Sequence, residues 1–241
     1  MDYIHKFTKR IEQFMYAVDT YEYVMEYEFR TAVEELDSKP NEIIVNLAGG
    51  GLNIRNYLPH HTTYLPLDFS KEWCTYDLQL IYTSYDKLPL ENESVDKIII
   101  LAVLHHFTDE ERDKLYKECH RILKKSGKMV IADVIKNSNQ DIWLNSIVNK
   151  YNPFGHQGRF FDSEDAKLIE SNHFDVQMKY KKYNWQFTNP VEMIDYLKHL
   201  FYLMISDDEL LTHVNAILKP HSIGNKYCFE WKLLYFICEP C

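Results

Sequence analysis

No apolar stretch of this 241-residue chain approaches the length that spans a bilayer. The first residues, MDYIHKFTKRIEQF, mix charges into apolar positions where a signal peptide needs an uninterrupted core. Positive charge is also in short supply. Thirty-six Asp and Glu against 27 Lys and Arg leave a formal net charge of −9, and basic residues cluster no further than the KK pairs at 124 and 181. That balance argues against broad, sequence-independent binding to nucleic acid or to an anionic membrane. Cysteines number five, and an odd count suits reduced thiols in the cytosol. Cys238 and Cys241 have C-E-P-C spacing but end the chain, and no metal is expected there. The sequence holds no internal repeat and no low-complexity segment. The expectation is a cytoplasmic protein whose partner is a small molecule, neither nucleic acid nor membrane, with assembly into a homodimer left open.

What is present is 46% hydrophobic and 26% charged, the composition of an ordinary globular domain. Positions 3–36 carry apolar residues at helical spacing, such as Val18, Tyr21, Met25 and Phe29, and predict one or two amphipathic helices ended by SKPN at 38–41. Short apolar runs follow at 42–48, 62–68, 78–84, 96–104 and 127–135. The run at 96–104 is nearly continuous, as in a strand buried on both faces. Between the last two runs, Thr108 and Glu111 form a capping box for a helix presenting Leu115, Cys119, Ile122 and Leu123, with Gly127 expected to stop it. Helices are also expected at 162–172, capped by Asp162; at 189–206, with Asn189 as cap and Pro190 at the first position; and from Ser206 with Glu209. Two late antiparallel strands are expected at 173–187 and 226–238.

The alternation implies an α/β fold, a Rossmann-like doubly wound and mostly parallel sheet with a late antiparallel strand, whose ligand crevice lies at the carboxyl ends of the strands. Residues 1–241 are expected to form a single domain: helices 1–38 as a lid, a cofactor-binding core at 40–180, a helical insertion at 188–222 that completes the lid, and a last strand at 226–238. Only seven glycines occur in the chain, and three of them are consecutive, in VNLAGGGLN at 45–53, directly after the first predicted strand. A bare backbone there lets a ligand approach closely, or simply makes a tight turn. About 20 residues on, YLPLD ends a second strand in Asp68, which can accept both hydroxyls of a ribose or cap the following helix.

IIVNLAGGG, YLPLDFS and the long block KLPLENESVDKIIILAVLHHFTDEERDKLYKECHRILKKSGKMVIADV together resemble the class I S-adenosylmethionine-dependent methyltransferases of the small-molecule type, over about residues 40–180. Leu88, Pro89, Leu90, Asn92, Ser94, Val95 and Asp96 match that family's lead into the fourth strand. The resemblance implies S-adenosylmethionine as cofactor. Gly49 and Gly50, with Asn46 and Ala48, would face its amino-acid portion, and Asp68 and Phe69 its ribose side. Ser84 to Asp86 would lie beside the adenine, and Ala102 would line the sulfonium site. The chain departs from the family where an acid and alternate glycines are usual: it has Asn46, Ala48, Gly50 and Leu52 there, and Ser84 stands where an acid is expected near the adenine. Asn46 cannot attract an ammonium group as a carboxylate does.

An acceptor that begins protonated needs a base. His106 and its neighbour His105, Asp133 and His156 are the candidates, although either member of the His pair could be a packing residue. His156 and Arg159, in NPFGHQGRFF, could orient an anionic or carbonyl-bearing acceptor or pin the next helix. Tyr16, Tyr21, Tyr23, Phe201 and Tyr202 could roof an aromatic acceptor or bury against the sheet. The expected function is methyl transfer to O, N or C of a small molecule in specialised biosynthesis. The alternatives are a methyltransferase-fold cyclase or lyase, and a non-catalytic partner subunit.

Overall fold

The computed structural model describes residues 10–48, 50 and 54–241. Its sheet has the order β3-β2-β1-β4-β5-β8-β6, with β7 paired to β8. β1 (Ile43–Leu47), β2 (Thr63–Asp68), β3 (Ile81–Tyr82), β4 (Val95–Leu101) and β5 (Leu123–Val134) run parallel. β8 (Lys226–Pro240) lies antiparallel to β5 and pairs along its length with β6 (Phe174–Phe187); β7 is His221–Ile223. The chain order reverses between β1 and β4, so the carboxyl ends of β1, β2 and β4 flank the crevice where ligands bind in such sheets.

The pleat sends alternate residues to opposite faces, and each face has its own core. One contains Ile44, Ile99, Leu101, Val130 and Trp231; the other contains Val45, Ile98, Ile100, Ile131 and Leu115. The first is covered by helices Ile11–Thr20, Glu26–Leu36, Pro190–Phe201 and Asp207–Ile217, the second by Asp109–Ile122 and Asp165–Glu170. The capping box at Thr108 is present: Thr108 Oγ1 accepts from the Glu111 amide at 3.2 Å while Glu111 accepts from the Thr108 amide at 2.9 Å. Asn189 and Ser206 cap their helices as the sequence suggests.

Four expectations are corrected. Gly127 does not stop the helix, which ends at Ile122; it sits inside β5, where a Cβ would lie 2.6 Å from Leu123 Cγ. The run at 78–84 forms only the two-residue strand Ile81–Tyr82, whose side chains are exposed. Asp162 does not cap the next helix directly; it accepts from the Glu164 amide, and the helix begins at Asp165. The helix from Pro190 ends at Phe201, because Tyr202 adopts a left-handed backbone with φ 51°.

Candidate active site

β1 and β4 each end on an alanine in the left-handed region, Ala48 at φ 56° and Ala102 at φ 49°. A Cβ costs about 1–2 kcal/mol there, so both turns are held by their surroundings; the Ala102 amide donates to the Ala132 carbonyl at 2.8 Å. Gly50 answers the question raised by the glycine run in an unexpected way. A Cβ on it would stand 2.8 Å from Trp73 Cδ2 and 3.0 Å from Asp68 Oδ2, so its bare backbone admits the protein's own side chains. Gly49 lies outside the described residues.

Asp68, at the end of β2, is buried. Its Oδ2 accepts from the Gly50 amide at 3.1 Å and its Oδ1 from the Ser70 amide at 2.8 Å. Burial raises its carboxyl to about 6, against the lowering effect of those amides. Ser70 caps the helix Lys71–Tyr76 by accepting from the Trp73 amide, leaving Asp68 as the brace between two loops. Asn46 is wholly buried: its Nδ2 donates to the Tyr64 hydroxyl at 2.8 Å, and its Oδ1 meets no hydrogen-bond partner among the described residues.

From this edge a pocket of about 1120 Å³ of empty space, open mouth included, runs beneath the N-terminal and inserted helices. Ala48, Gly50, Asp68, Phe69 and Ala102 line it from the strand ends; His105, His106 and His156 line it from loops; Glu28, Phe29, Trp185, Phe201 and Trp231 line it from helices and the late strands. A mostly apolar lining with a few convergent polar groups is the character of a small-molecule site.

The histidines come from two loops. His105 and His106 sit in the 3₁₀ turn Leu104–His106 directly after β4. Asp133 of β5, fully buried, accepts the His105 amide at Oδ2 (3.0 Å) and pairs with His105 Nδ1 at Oδ1 (2.8 Å). This carboxylate fixes the proton on Nδ1 and turns the Nε2 lone pair outward. His156 follows a turn at Gly155 (φ 70°), and its amide donates to Asn149 Oδ1 at 2.8 Å. Two residues on, Asn145 holds Gly158 by its amide (2.8 Å) and its carbonyl (3.0 Å). A Cβ on Gly158 would meet His105 Cδ2 at 2.9 Å, so only glycine lets the second loop close on the first. Buried Arg112 binds them together, donating to the Leu104 carbonyl from Nε and Nη2 and to the Arg159 carbonyl from Nη2, with its guanidinium 4.2 Å from the Phe161 ring centre. Burial, reinforced by the neighbouring cations, holds the His106 and His156 imidazoles well below the usual histidine range, so both are neutral near pH 7.

Of the residues singled out in the sequence, Ala48, Gly50, Asp68, Phe69, Ala102, His106 and His156 line this pocket, and Asp133 stands behind His105. The others are placed elsewhere. Ser84 and Asp86 are exposed and hydrogen-bonded to each other, away from the pocket. Arg159 reaches outward to Asp165 (2.6 Å) and Asp109 (3.2 Å). Tyr16 and Tyr21 donate to Asp195 at 3.3 and 2.5 Å, and Tyr23 bonds Glu192, so these rings fasten the first helix to Pro190–Phe201 and do not line the cavity. Tyr202 terminates that helix and stacks on Phe154 at 6.1 Å. Glu28, Trp73, Trp185 and Trp231 were not anticipated. The two tryptophans stack at 4.1 Å across the β6–β8 pair, which the two late aromatic segments foreshadowed without giving a register.

Residues 47–131 match the family described as a methyltransferase domain. Over 67 residues the chain is 34% identical to a scoulerine 9-O-methyltransferase of Papaver somniferum, covering 26% of this chain and 20% of that protein; the chain thus spans about a fifth of the length of this curated relative. Among solved structures, the YcgJ protein of Bacillus subtilis superposes with a TM-score of 0.61 at 15% identity, covering 91% of this chain and 99% of that one. A phosphoethanolamine N-methyltransferase of Haemonchus contortus, bound to phosphomonomethylethanolamine and S-adenosylhomocysteine, gives 0.58 at 13% identity, covering 94% and 57%. The chain has the fold of the class I S-adenosylmethionine-dependent methyltransferases, and its residues 47–131 match the methyltransferase domain model. S-adenosylmethionine is the cofactor of that class, and the crevice fits it: an acceptor carboxylate at the end of β2, the apolar face of Phe69 beside it, and an opening between β1 and β4.

Proposed function

We propose that this protein transfers a methyl group from S-adenosylmethionine to an oxygen, nitrogen or carbon of a small-molecule acceptor, in specialised biosynthesis. The observation that carries this is that a single pocket is lined by Asp68 and Ala102, by the three histidines and by the aromatic rings of Phe29, Trp185 and Trp231. Asp68 and Phe69 would hold the cofactor's ribose and adenine side, and Ala48, Gly50 and Ala102 its methionine side. When bound, S-adenosylmethionine supplies an electrophilic methyl group whose transfer leaves a neutral thioether. Phe29, Trp185 and Trp231 exclude water and hold an apolar acceptor body, so positioning supplies much of the rate. A proton leaving the acceptor would be taken up at His105 Nε2, with Asp133 stabilising the charge that develops on that ring.

Calorimetry with S-adenosylhomocysteine tests the cofactor half. Micromolar binding, about −8 kcal/mol, that is lost in Asp68→Ala supports it, and no binding to the unaltered chain refutes it. Release of S-adenosylhomocysteine in step with methylated product, across a panel of aromatic alcohols and amines, tests the rest. Neutral Asn46, tied to Tyr64, favours a second reading in which the fold performs a cyclisation or elimination; cofactor binding with acceptor conversion but no methylated product would select it.

A further inference from the structure

His105, His106 and His156 each offer a ring nitrogen, and these atoms all lie within 4.8 Å of one another. The ring centres are 3.8 Å apart for His105 and His106, 5.4 Å for His105 and His156, and 5.0 Å for His106 and His156. Two nitrogens on one tetrahedral zinc, with bonds of about 2.0–2.1 Å, stand about 3.3 Å apart, so sharing an ion asks these atoms to close by no more than about 1.5 Å. We infer that these three histidines form a binding site for a divalent transition ion of the zinc type, in the pocket that they line.

Three features support this beyond proximity. His105 is buried, its Nδ1 is engaged by Asp133, and its Nε2 meets no hydrogen-bond partner among the described residues, which is the tautomer and carboxylate support that metal-bound histidines have. The ligand types suit zinc, copper, nickel or iron(II) rather than magnesium or calcium, because all three are imidazoles and Asp133 is committed to His105. The scaffold is rigid where it must be. Arg112 and Asn145 fix both histidine loops, and Gly158 gives the His105 ring its space. Three protein ligands leave a fourth position, the arrangement of catalytic rather than structural zinc sites. An acceptor with a hydroxyl or thiol would occupy it; the ion, as a Lewis acid, would lower that group's pKa so that its proton leaves to solvent, and the ring nitrogens bound to the ion would then not serve as the base. This assignment of acceptor class rests on the methyl-transfer reading; the ion site itself does not.

The test uses the full chain, stripped with a chelator and then titrated with Zn²⁺ by calorimetry and with Co²⁺ by visible absorption. One saturable equivalent with the intense bands of tetrahedral Co²⁺ is expected. It should be lost in His105→Ala and in His156→Ala, and weakened about 10–100-fold in Asp133→Asn, the usual effect of removing a supporting carboxylate. His60→Ala with His61→Ala, a neighbouring pair outside the cluster, should leave it unchanged. Failure of the unaltered chain to bind, or binding that survives His105→Ala and His156→Ala in folded protein, overturns the inference. Circular dichroism and S-adenosylhomocysteine affinity in the same samples separate misfolding and failure of the cofactor reading from failure of the metal site.

Discussion

Glu28 offers a quantitative test of how the pocket is built. The residue is 4% exposed, its Oε2 meets no hydrogen-bond partner among the described residues, and Asp133 lies close enough for like-charge repulsion. Burial raises its carboxyl from 4.5 to about 7, with the Asp133 charge adding to the rise and the Trp185 indole opposing it. The unfolded chain releases this proton near its ordinary value, whereas the folded chain holds it until about pH 7. Between those values the native state binds more protons, so stability falls as pH rises and is lowest above pH 7. A displacement of about 2.5 pH units corresponds to about 3 kcal/mol. Glu28→Gln removes the titration while keeping the shape. Its stability relative to the unaltered chain should therefore rise by up to about 3 kcal/mol between pH 4.5 and pH 8, whatever constant cost the buried amide brings. Urea unfolding of both proteins across that range measures it. A difference that stays flat with pH would refute the assignment of Glu28 as a buried, weakly compensated acid.

Other consequences are equally direct. Ala48→Gly relieves a left-handed alanine at the end of β1 and should stabilise the fold by about 1 kcal/mol, read as an increased urea midpoint at constant slope. Gly50→Ala drives a methyl group into Trp73 and Asp68 and should cost about 1–3 kcal/mol; it should also weaken S-adenosylhomocysteine binding, and unchanged stability would show that Trp73 can yield. Arg112→Ala strips the carbonyls of Leu104 and Arg159 of their buried cation and leaves Asp165 with a diminished partner set. A loss of about 3–5 kcal/mol is expected, and thermal unfolding within 1 °C of the unaltered chain would contradict it.

The sequence by itself determined most of the architecture. Continuous apolar runs, a capping box at Thr108 and Glu111, and the cap at Asn189 with Pro190 are local signals whose physics needs only neighbouring residues. The edge of the sheet at which the pocket opens was also legible, because glycines after a strand and an acid ending the next strand bear a fixed relation to the crevice. Errors arose where distant packing overrode local preference: Gly127 was absorbed into β5, and the run at 78–84 shrank to two residues at the sheet edge. For the tyrosines the sequence left a roof and simple packing both open, since it could not show that Asp195 and Glu192 would face them from a helix some 170 residues away. Only the tertiary structure decided which histidine Asp133 supports, because that choice depends on β4 and β5 lying side by side with Leu101 opposite Ala132. It also decided that His156 closes on the pair, and that Trp185 and Trp231 line the same pocket. Those groups are separated by tens of residues, and no periodicity or cap carries information across that distance; their meeting is set by sheet order and by the space Gly158 leaves for a ring.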